Sequence, residues 1–256
     1  MITSTENSQV KNIRLLMEKA SARKKQRLYV VEGVRMFLEA PDAMIEKVYI
    51  SEGFEKKGSH MDRIKKLHFE VLSDKVFKKL SDTHTPQGLL LVMKMPEQRM
   101  MDIEDHRMYL ILNRIQDPGN LGTMIRTAEA AGAAGVIMDS ECADIFNPKT
   151  IRSTMGSIFR VPFQVSEDLP GTVDELKEKG VSVIAADLKG EEFYEMPQVT
   201  GSYGIMIGNE GSGLSDELCE KSDIRLRIPM SGKVNSLNAA ISASLLMYQA
   251  RFKQSI

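Results

Sequence analysis

The 256-residue sequence predicts an α/β protein of two domains, on three observations. Short apolar runs alternate with stretches of helical spacing along the whole chain. A polar connection over 95–106, with a proline and weak periodicity, interrupts this alternation. The charge changes at the same place, since residues 1–101 carry 19 Lys and Arg against 13 Asp and Glu, whereas residues 102–256 carry 15 against 22. We therefore expect domains at 1–101 and 102–256.

The first domain reads as a small sheet with covering helices. A helical pattern over 7–20 precedes the strand-like YVVEG, and the helical VRMFLEA, MDRIKKL and DKVFKKL then alternate with the extended KVYIS, FEVL and GLLLVM. Four positive charges stand just before the first strand, namely Arg23, Lys24, Lys25 and Arg27. Lys and Arg that displace counterions are the main sequence-independent source of nucleic-acid affinity, so the cluster indicates contact with RNA. A solvated charged surface would explain the charge equally well.

The second domain reads as a mostly parallel sheet. MYLILN (108–113) is followed by a turn and by the helical LGTMIRTAEAAG, which Gly132 closes. Further extended runs are GVIM, VSVIAAD, YGIMIG and IRLRIPM, and a helix over about 235–253 ends the chain. Ligands of parallel sheets collect at the carboxyl ends of the strands. Three turns rich in glycine and small polar residues follow such strands, DPGNLG, NEGSGLS and SGKVNSLN, and together they predict one composite pocket.

The sequence lacks the motifs and residues that several other classes of protein require. The chain contains no GxxxxGK[ST], and the glycines after YGIMI stand in the order GxxGxG, not in the GxGxxG of a dinucleotide site. All four histidines precede residue 107, so the second domain has no imidazole base beyond that point. Cys142 and Cys219 lack metal-ligand spacing, and we expect no metal. The apolar runs are too short to span a membrane and the N-terminus is polar, so we expect a cytoplasmic protein.

Three long segments resemble the signature motifs of one enzyme family. NRIQDPGNLGTMIRTAEAAG (113–132), IGNEGSGLS (207–215) and IPMSGKVNSLNAAISA (228–243) are similar, in order and spacing, to those of the SpoU/TrmH RNA ribose 2′-O-methyltransferases of the SPOUT superfamily. DIFNPKTIRSTMGSIFRVP (144–162) resembles the segment that rRNA methylases carry between the first two motifs. RKKQRLYVVEGVR (23–35) and SDTHTPQG (81–88) resemble the family's substrate-binding domain.

The resemblance implies a fold, a cofactor and a set of site residues. The fold would be a C-terminal SPOUT α/β-knot, a trefoil-knotted and mostly parallel sheet, with a smaller N-terminal L30e-like α/β domain. The cofactor would be S-adenosyl-L-methionine, and glycine in the second motif would let the backbone close on its adenosine. The residues implied for cofactor binding are Gly208, Asn209, Ile228, Met230 and Leu237, and those implied for catalysis are Asn120, Arg126, Glu210, Ser236 and Asn238.

The family's motif arginine is often assigned as a general base, but a guanidinium stays protonated in proteins. We expect Arg126 to hold the target phosphate and to stabilise alkoxide charge, while Glu210, Ser236 and Asn238 orient the hydroxyl and hold the loops. The resemblance further implies a homodimer. Leu237, Ile241, Leu245 and Tyr248 would form an apolar stripe on the last helix that packs either on a partner or on the chain's own core.

The expected reaction is methyl transfer to a ribose 2′-hydroxyl of RNA. By analogy with the family, the first domain and the segment 144–162 favour 23S rRNA as the substrate. Alternatives are a tRNA 2′-O-methyltransferase and an RNA- or ribosome-binding protein without catalysis. The missing GxGxxG disfavours a dinucleotide-dependent oxidoreductase. A base methyltransferase with a cysteine nucleophile is disfavoured because neither cysteine stands in a motif. The sequence does not identify the methylated nucleotide.

Overall fold

The computed structural model describes residues 1–97 and 101–254, and it confirms the α/β class. The described chain forms two compact units. The first contains Met1–Glu97 together with Asp144–Phe159, and the second contains 101–143 and 160–254. Part of the predicted connection over 95–106, residues 98–100, lies outside the described residues. Within the described part of the chain, no helix is both long and apolar enough to cross a membrane.

The helices and strands follow the predicted alternation. The helices are α1 (Ser8–Glu18), α2 (Ala20–Gln26), α3 (Val34–Glu39), α4 (Glu52–Lys57), α5 (Met61–Ile64), α6 (Asp74–Leu80), α7 (Pro118–Ala131), α8 (Pro148–Thr154), α9 (Leu169–Glu178), α10 (Asp216–Lys221) and α11 (Ala239–Lys253). The strands are β1 (Leu28–Glu32), β2 (Ile45–Ser51), β3 (Phe69–Leu72), β4 (Leu89–Lys94), β5 (Met108–Leu112), β6 (Gly135–Asp139), β7 (Phe163–Ser166), β8 (Ser182–Glu192), β9 (Tyr203–Ile207) and β10 (Ile224–Arg227). All nine extended runs named from the sequence correspond to strands.

The first unit is built on a sheet in the order β1-β4-β2-β3, in which only the β2–β3 pairing is parallel. Helices α1 and α6 bury their apolar stripes on one face of this sheet. The shared core contains Val10, Ile13, Leu16, Val76 and Phe77. Helix ends are fixed by side-chain caps, since the Ser73 hydroxyl accepts a hydrogen bond from the Val76 N–H at the start of α6.

Residues 144–159 pack within the first unit, although they follow β6 in the chain. The Arg23 guanidinium is paired with the Asp144 carboxylate, and the rings of Tyr29 and Phe146 lie 4.7 Å apart, centroid to centroid. Each compact unit therefore consists of more than one stretch of chain. The chain enters the first unit, after the second has begun, at Asp144 and leaves it again at Phe159.

The second unit is built on a sheet in the order β10-β8-β9-β5-β6-β7, and every described pairing is parallel. The central strands β5 and β9 are buried along their whole length, which explains their continuous apolar sequences. Helix α9 packs on the sheet through Leu169, Val173 and Leu176. Helix α11 contacts α7, β8 and β9. The three predicted motif turns follow β5, β9 and β10 at the carboxyl edge of this sheet.

Candidate active site

The turn after β5 is held by a buried polar pair. The Asn113 side chain donates a hydrogen bond of 2.6 Å to the Asp139 carboxylate at the end of β6, and the Arg114 N–H donates to the same oxygen at 2.9 Å. Arg114 has a φ of 53°, in the left-handed region that a bulky residue rarely adopts. From this turn the chain continues into α7. At the start of that helix the Asp117 carboxylate accepts a hydrogen bond from the Asn120 N–H, and Pro118 occupies the first turn.

Three of the predicted catalytic residues form one hydrogen-bonded chain. The Asn238 amide donates to the Asn120 side-chain oxygen at 2.9 Å, and the Asn120 amide donates to Glu210 Oε1 at 3.0 Å. The Glu210 carboxylate also accepts from the Gln116 and Asp117 N–H groups, both at 3.1 Å. Each of the three signature motifs contributes one member of this chain, so the three loops are tied together at one point.

Glu210 is held as a carboxylate by its hydrogen bonds. Partial burial by itself would raise the pKa of Glu210, but the Asn120 amide and the backbone N–H groups of Gln116 and Asp117 together lower it below the ordinary value. A carboxylate with a lowered pKa is a weak proton acceptor. The arrangement therefore favours a positioning role for Glu210 over the role of general base.

The loop after β9 is closed by the backbone and side chain of Asn209. Asn209 and Gly213 exchange backbone hydrogen bonds of 3.0 and 2.9 Å, and the Asn209 amide donates to the Arg114 carbonyl at 2.8 Å. A Cβ atom on Gly208 would lie 2.2 Å from backbone atoms of Gly213 and Leu214. Glycine is thus required here for the contact between two parts of the loop, and the close approach to adenosine expected from the sequence stays a prediction.

A cavity of about 610 Å³ lies beside this hydrogen-bonded chain, within the second unit. All five residues predicted to bind the cofactor line it, as do the predicted catalytic residues Glu210 and Ser236. The volume lies in the range of about 300–1,000 Å³ that small-molecule sites occupy. Apolar side chains of Ile207, Leu226 and Leu246 stand beside glycine backbone and carboxylates, a mixture that suits a nucleoside carrying polar groups. The residues that line the cavity therefore fit S-adenosylmethionine.

Arg126 and Ser236 stand apart from the hydrogen-bonded chain. Arg126 lies on the exposed side of α7, and its guanidinium has no hydrogen bond or ion pair within the described residues. Ser236 is exposed on the segment before α11 and has no hydrogen bond in the described part of the chain either. The structure thus brings Asn120, Glu210 and Asn238 together, and it leaves the side chains of Arg126 and Ser236 outside this group.

The predicted RNA-binding cluster is corrected at one position. Arg23 is 2% exposed, and its guanidinium donates to Asp144 Oδ2 at 2.6 and 2.9 Å and to the Leu16 and Met17 carbonyls. A buried arginine whose donors are occupied does not contact RNA phosphates, so its assignment to the RNA surface is wrong. The other three residues of the cluster, Lys24, Lys25 and Arg27, are exposed.

The sequence reasoning missed Asn113, Arg114 and Asp139. Both Asn113 and Asp139 are buried polar residues, and Asn113 Oδ1, Asp139 Oδ1 and Arg114 Nε have no hydrogen-bond partner in the described residues. A polar residue at the end of an apolar strand was the available signal, because Asn113 follows MYLIL and Asp139 follows GVIM. No cluster of His, Cys, Asp and Glu among the described residues could hold a metal ion.

The parallel sheet and the cavity at its carboxyl edge define an α/β unit that can bind a small molecule, and comparisons with known proteins identify its family. A model of the SpoU rRNA methylase family matches residues 107–248, and a model of the MRM3-like substrate-binding domain matches residues 7–91. The chain is 37% identical to the 23S rRNA (guanosine(2553)-2′-O)-methyltransferase RlmP of Bacillus subtilis, over 98% of both chains. It is 30% identical to an uncharacterised tRNA/rRNA methyltransferase of Synechocystis, over 99% of this chain and 94% of that protein.

A solved structure extends the likeness to the whole fold. The AdoMet-bound rRNA methyltransferase from Sinorhizobium meliloti is 29% identical and aligns with a TM-score of 0.86 over 98% of this chain and 97% of that one. The chain therefore belongs to the SpoU rRNA methylase family. This membership confirms the family resemblance, the RNA 2′-O-methyltransferase class and the expected use of S-adenosylmethionine. The trefoil knot and the L30e-like character of the first domain stay predictions.

Proposed function

We propose that this protein transfers a methyl group from S-adenosylmethionine to a ribose 2′-hydroxyl of 23S rRNA. The observation that carries the proposal is the chain of Asn238, Asn120 and Glu210 beside the 610 Å³ cavity. The 23S rRNA assignment is supported by the RlmP relative, which matches this chain over nearly its full length. A ribosomal substrate also supports the cytoplasm as the place of work.

The cavity residues divide between holding the cofactor and holding each other. Ile228, Met230 and Leu237 provide apolar walls for an adenosine, while Gly208 and Asn209 shape the loop that bounds it. The bound sulfonium would supply an electrophilic methyl group. Because Glu210 ties the first motif to the second, and Asn238 ties the third motif to the first, the residues that face the methyl group keep fixed positions.

Arg126 and Ser236 are assigned to the RNA. The guanidinium of Arg126 has no partner within the described residues, so it is free to bind the phosphate of the target nucleotide and to stabilise negative charge on the 2′-oxygen. The exposed Ser236 hydroxyl, on the wall of the cavity, orients the ribose hydroxyl by a hydrogen bond. Arg126 acts through charge and geometry, which a lysine does not reproduce.

The test is methyl incorporation into separate RNA substrates. Purified protein is incubated with radiolabelled S-adenosylmethionine and with either 23S rRNA or tRNA from cells that lack the protein. We expect label in 23S rRNA, and expect Arg126→Ala and Arg126→Lys to reduce turnover at least a hundred-fold while cofactor affinity is retained. The matched control is Arg107→Ala, an exposed arginine elsewhere in the same unit. Label confined to tRNA would establish the alternative substrate, and no label at all would favour a binding protein without catalysis.

The first unit is proposed to bind the RNA through exposed positive charge. Lys24 and Lys25 on α2 are exposed and have no ion-pair partner within the described residues. The exposed Arg27 follows the end of α2, and its guanidinium donates one hydrogen bond to the Pro96 carbonyl. Replacing these three by alanine should weaken RNA binding and flatten its salt dependence, while cofactor affinity stays unchanged. Equal loss of both affinities would show that the cluster serves the fold.

We further infer that the protein functions as a homodimer through α11. Ile241, Leu245, Tyr248 and Phe252 recur every three or four residues and are 51%, 39%, 52% and 84% exposed. Three of the four residues in the stripe expected from the sequence are thus exposed on the single chain, whereas Leu237 lines the cavity. A second copy would cover this stripe. Light scattering should show a dimer that Tyr248→Asp separates into monomers and that Leu15→Asp, at an exposed leucine on α1, leaves intact. A wild-type monomer at micromolar concentration would contradict the inference.

A further inference from the structure

A second polar corner of the cavity lies outside the signature motifs. Asp187, Cys219 and Arg225 line the same space as Gly208, and the side chain of Asp187 is only 13% exposed. None of these three residues belongs to a motif that the family resemblance rests on. A carboxylate that is largely buried in a ligand cavity requires a physical explanation, because burial without hydrogen-bond donors is costly.

The backbone of β8 presents Asp187 to the cavity. Ala185 pairs with Met206 on β9 and with Arg225 on β10, but the next described pair joins Leu226 to Glu191. Residues 186–190 therefore bulge out of the ladder, and bulges of this kind redirect side chains beside active sites. Residues 186–189 all line the cavity.

Asp187 lies close to the predicted cofactor loop in the order of the sheet. Asp187 and Gly208 each lie two residues beyond the paired Ala185 and Met206 on adjacent strands. Adjacent strands are about 4.8 Å apart, so the two positions bound neighbouring parts of the cavity. The carboxylate thus borders the space that the adenosyl group would occupy.

The hydrogen bonds of Asp187 leave room for a ligand. Its Oδ1 accepts from the Lys189 N–H at 3.0 Å, and its Oδ2 lies 3.8 Å from the Arg225 guanidinium. A carboxylate has about four acceptor positions, so donors can be added. Because Arg225 already offsets the negative charge, a further ammonium group gains little there, whereas neutral hydroxyl groups still find good acceptors.

We propose that the Asp187 carboxylate accepts hydrogen bonds from the ribose hydroxyls of S-adenosylmethionine. This inference rests on the proposed function, since it takes the cavity as the cofactor site. A ribose presents two adjacent O–H donors, which match the two oxygens of one carboxylate. Asp187 is therefore a cofactor-recognition residue, and its removal weakens every ligand that contains an intact ribose.

Calorimetry with three ligands tests the proposal on the intact chain. Wild type, Asp187→Ala and Asp187→Asn are titrated with S-adenosylmethionine, adenosine and 2′,3′-dideoxyadenosine. We expect Asp187→Ala to weaken the first two by about ten-fold to a hundred-fold, as for hydrogen bonds to a charged group, and to leave dideoxyadenosine within two-fold. Asp187→Asn, which keeps the shape and one acceptor oxygen, should weaken them less. Glu178→Ala, at an exposed acidic residue on α9 that does not line the cavity, is the control and should bind all three like wild type.

The outcomes separate the inference from the proposed function. Equal weakening of adenosine and dideoxyadenosine would overturn the ribose contact, and so would a loss confined to S-adenosylmethionine, which would place its ammonium group at Asp187. Unchanged affinities in both variants would overturn the role of Asp187 while leaving the cofactor site intact. Failure of the wild-type protein to bind S-adenosylmethionine would overturn both proposals. Thermal melting without ligand identifies a variant that has lost its fold. If Asp187→Ala has lost its fold, the affinities of Asp187→Asn test the proposal.

Discussion

Glu210→Gln is the substitution that most sharply tests how the motif loops are held. The carboxylate accepts three hydrogen bonds, two from backbone N–H groups of the turn before α7 and one from the Asn120 amide. Glutamine has the same shape but only one acceptor oxygen, and its amide would face an N–H donor. At least one of the three hydrogen bonds is therefore lost, and the negative charge is lost with it.

The size of the effect follows from the hydrogen bonds affected. One hydrogen bond to a charged group contributes about 1.5–3 kcal/mol, and the exposure of Glu210 places the loss at the lower end, about 1.5–2 kcal/mol. If this loss falls on the arrangement required in the transition state, turnover drops about ten-fold to thirty-fold. The cofactor cavity is bounded mainly by other residues, so the Kd for S-adenosylmethionine should change less than two-fold.

Single-turnover methylation, with a parallel titration of the cofactor, measures both quantities. In the wild type the pKa of Glu210 is lowered, so its contribution is complete at neutral pH and is lost only as the pH falls below the ordinary carboxylate value of 4.5. Wild-type turnover in Glu210→Gln would refute the positioning role. A rate that follows the titration of a group near neutral pH, and that loses this dependence in the variant, would identify Glu210 as the general base.

Three further predictions concern the loop, the buried ion pair and the cavity thiol. Gly208→Val should abolish cofactor binding in calorimetry and lower the melting temperature, because its side chain would meet loop backbone; normal affinity would contradict this. Arg23→Ala should lower the free energy of unfolding in urea by about 3 kcal/mol, since it leaves the Asp144 carboxylate without its ion-pair partner. A loss below about 1 kcal/mol would show that the ion pair contributes little to stability. Burial and the negative charge of Asp187 raise the pKa of Cys219, so alkylation at pH 8 should be slower than for a free thiol and should accelerate in Asp187→Asn. An unchanged alkylation rate in Asp187→Asn would contradict the effect of the Asp187 charge on the Cys219 thiol.

The sequence predicted most strands because a parallel sheet buries both faces. MYLIL and YGIMI are apolar at almost every position, and both are fully buried strands. Strand β7 (Phe163–Ser166) lies at the edge of its sheet with half-buried residues, so its sequence carries no comparable signal. The last helix begins at Ala239, four residues after the predicted start, because Asn238 caps it with hydrogen bonds to the Ala240 and Ile241 N–H groups.

The sequence predicted the site residues that lie within the three signature motifs. Asn120, Glu210 and Asn238 were named from their motifs, and they are hydrogen-bonded to one another. The role of Arg23 could not be read locally, since its partner Asp144 lies 121 residues away and no periodicity links them. The pocket position of Asp187 depends likewise on a bulge in β8, which only the pairing with the neighbouring strand reveals.

The most direct test of the central claim is a map of 2′-O-methylated nucleotides in 23S rRNA after reaction with the purified protein. RNA from cells lacking the protein is incubated with S-adenosylmethionine, and the modified positions are found by their resistance to alkaline cleavage. We predict one new 2′-O-methyl position with wild-type protein and at least a hundred-fold slower formation with Arg126→Ala. A methyl group on a base, or no new methylated position in 23S rRNA, would contradict the proposed reaction.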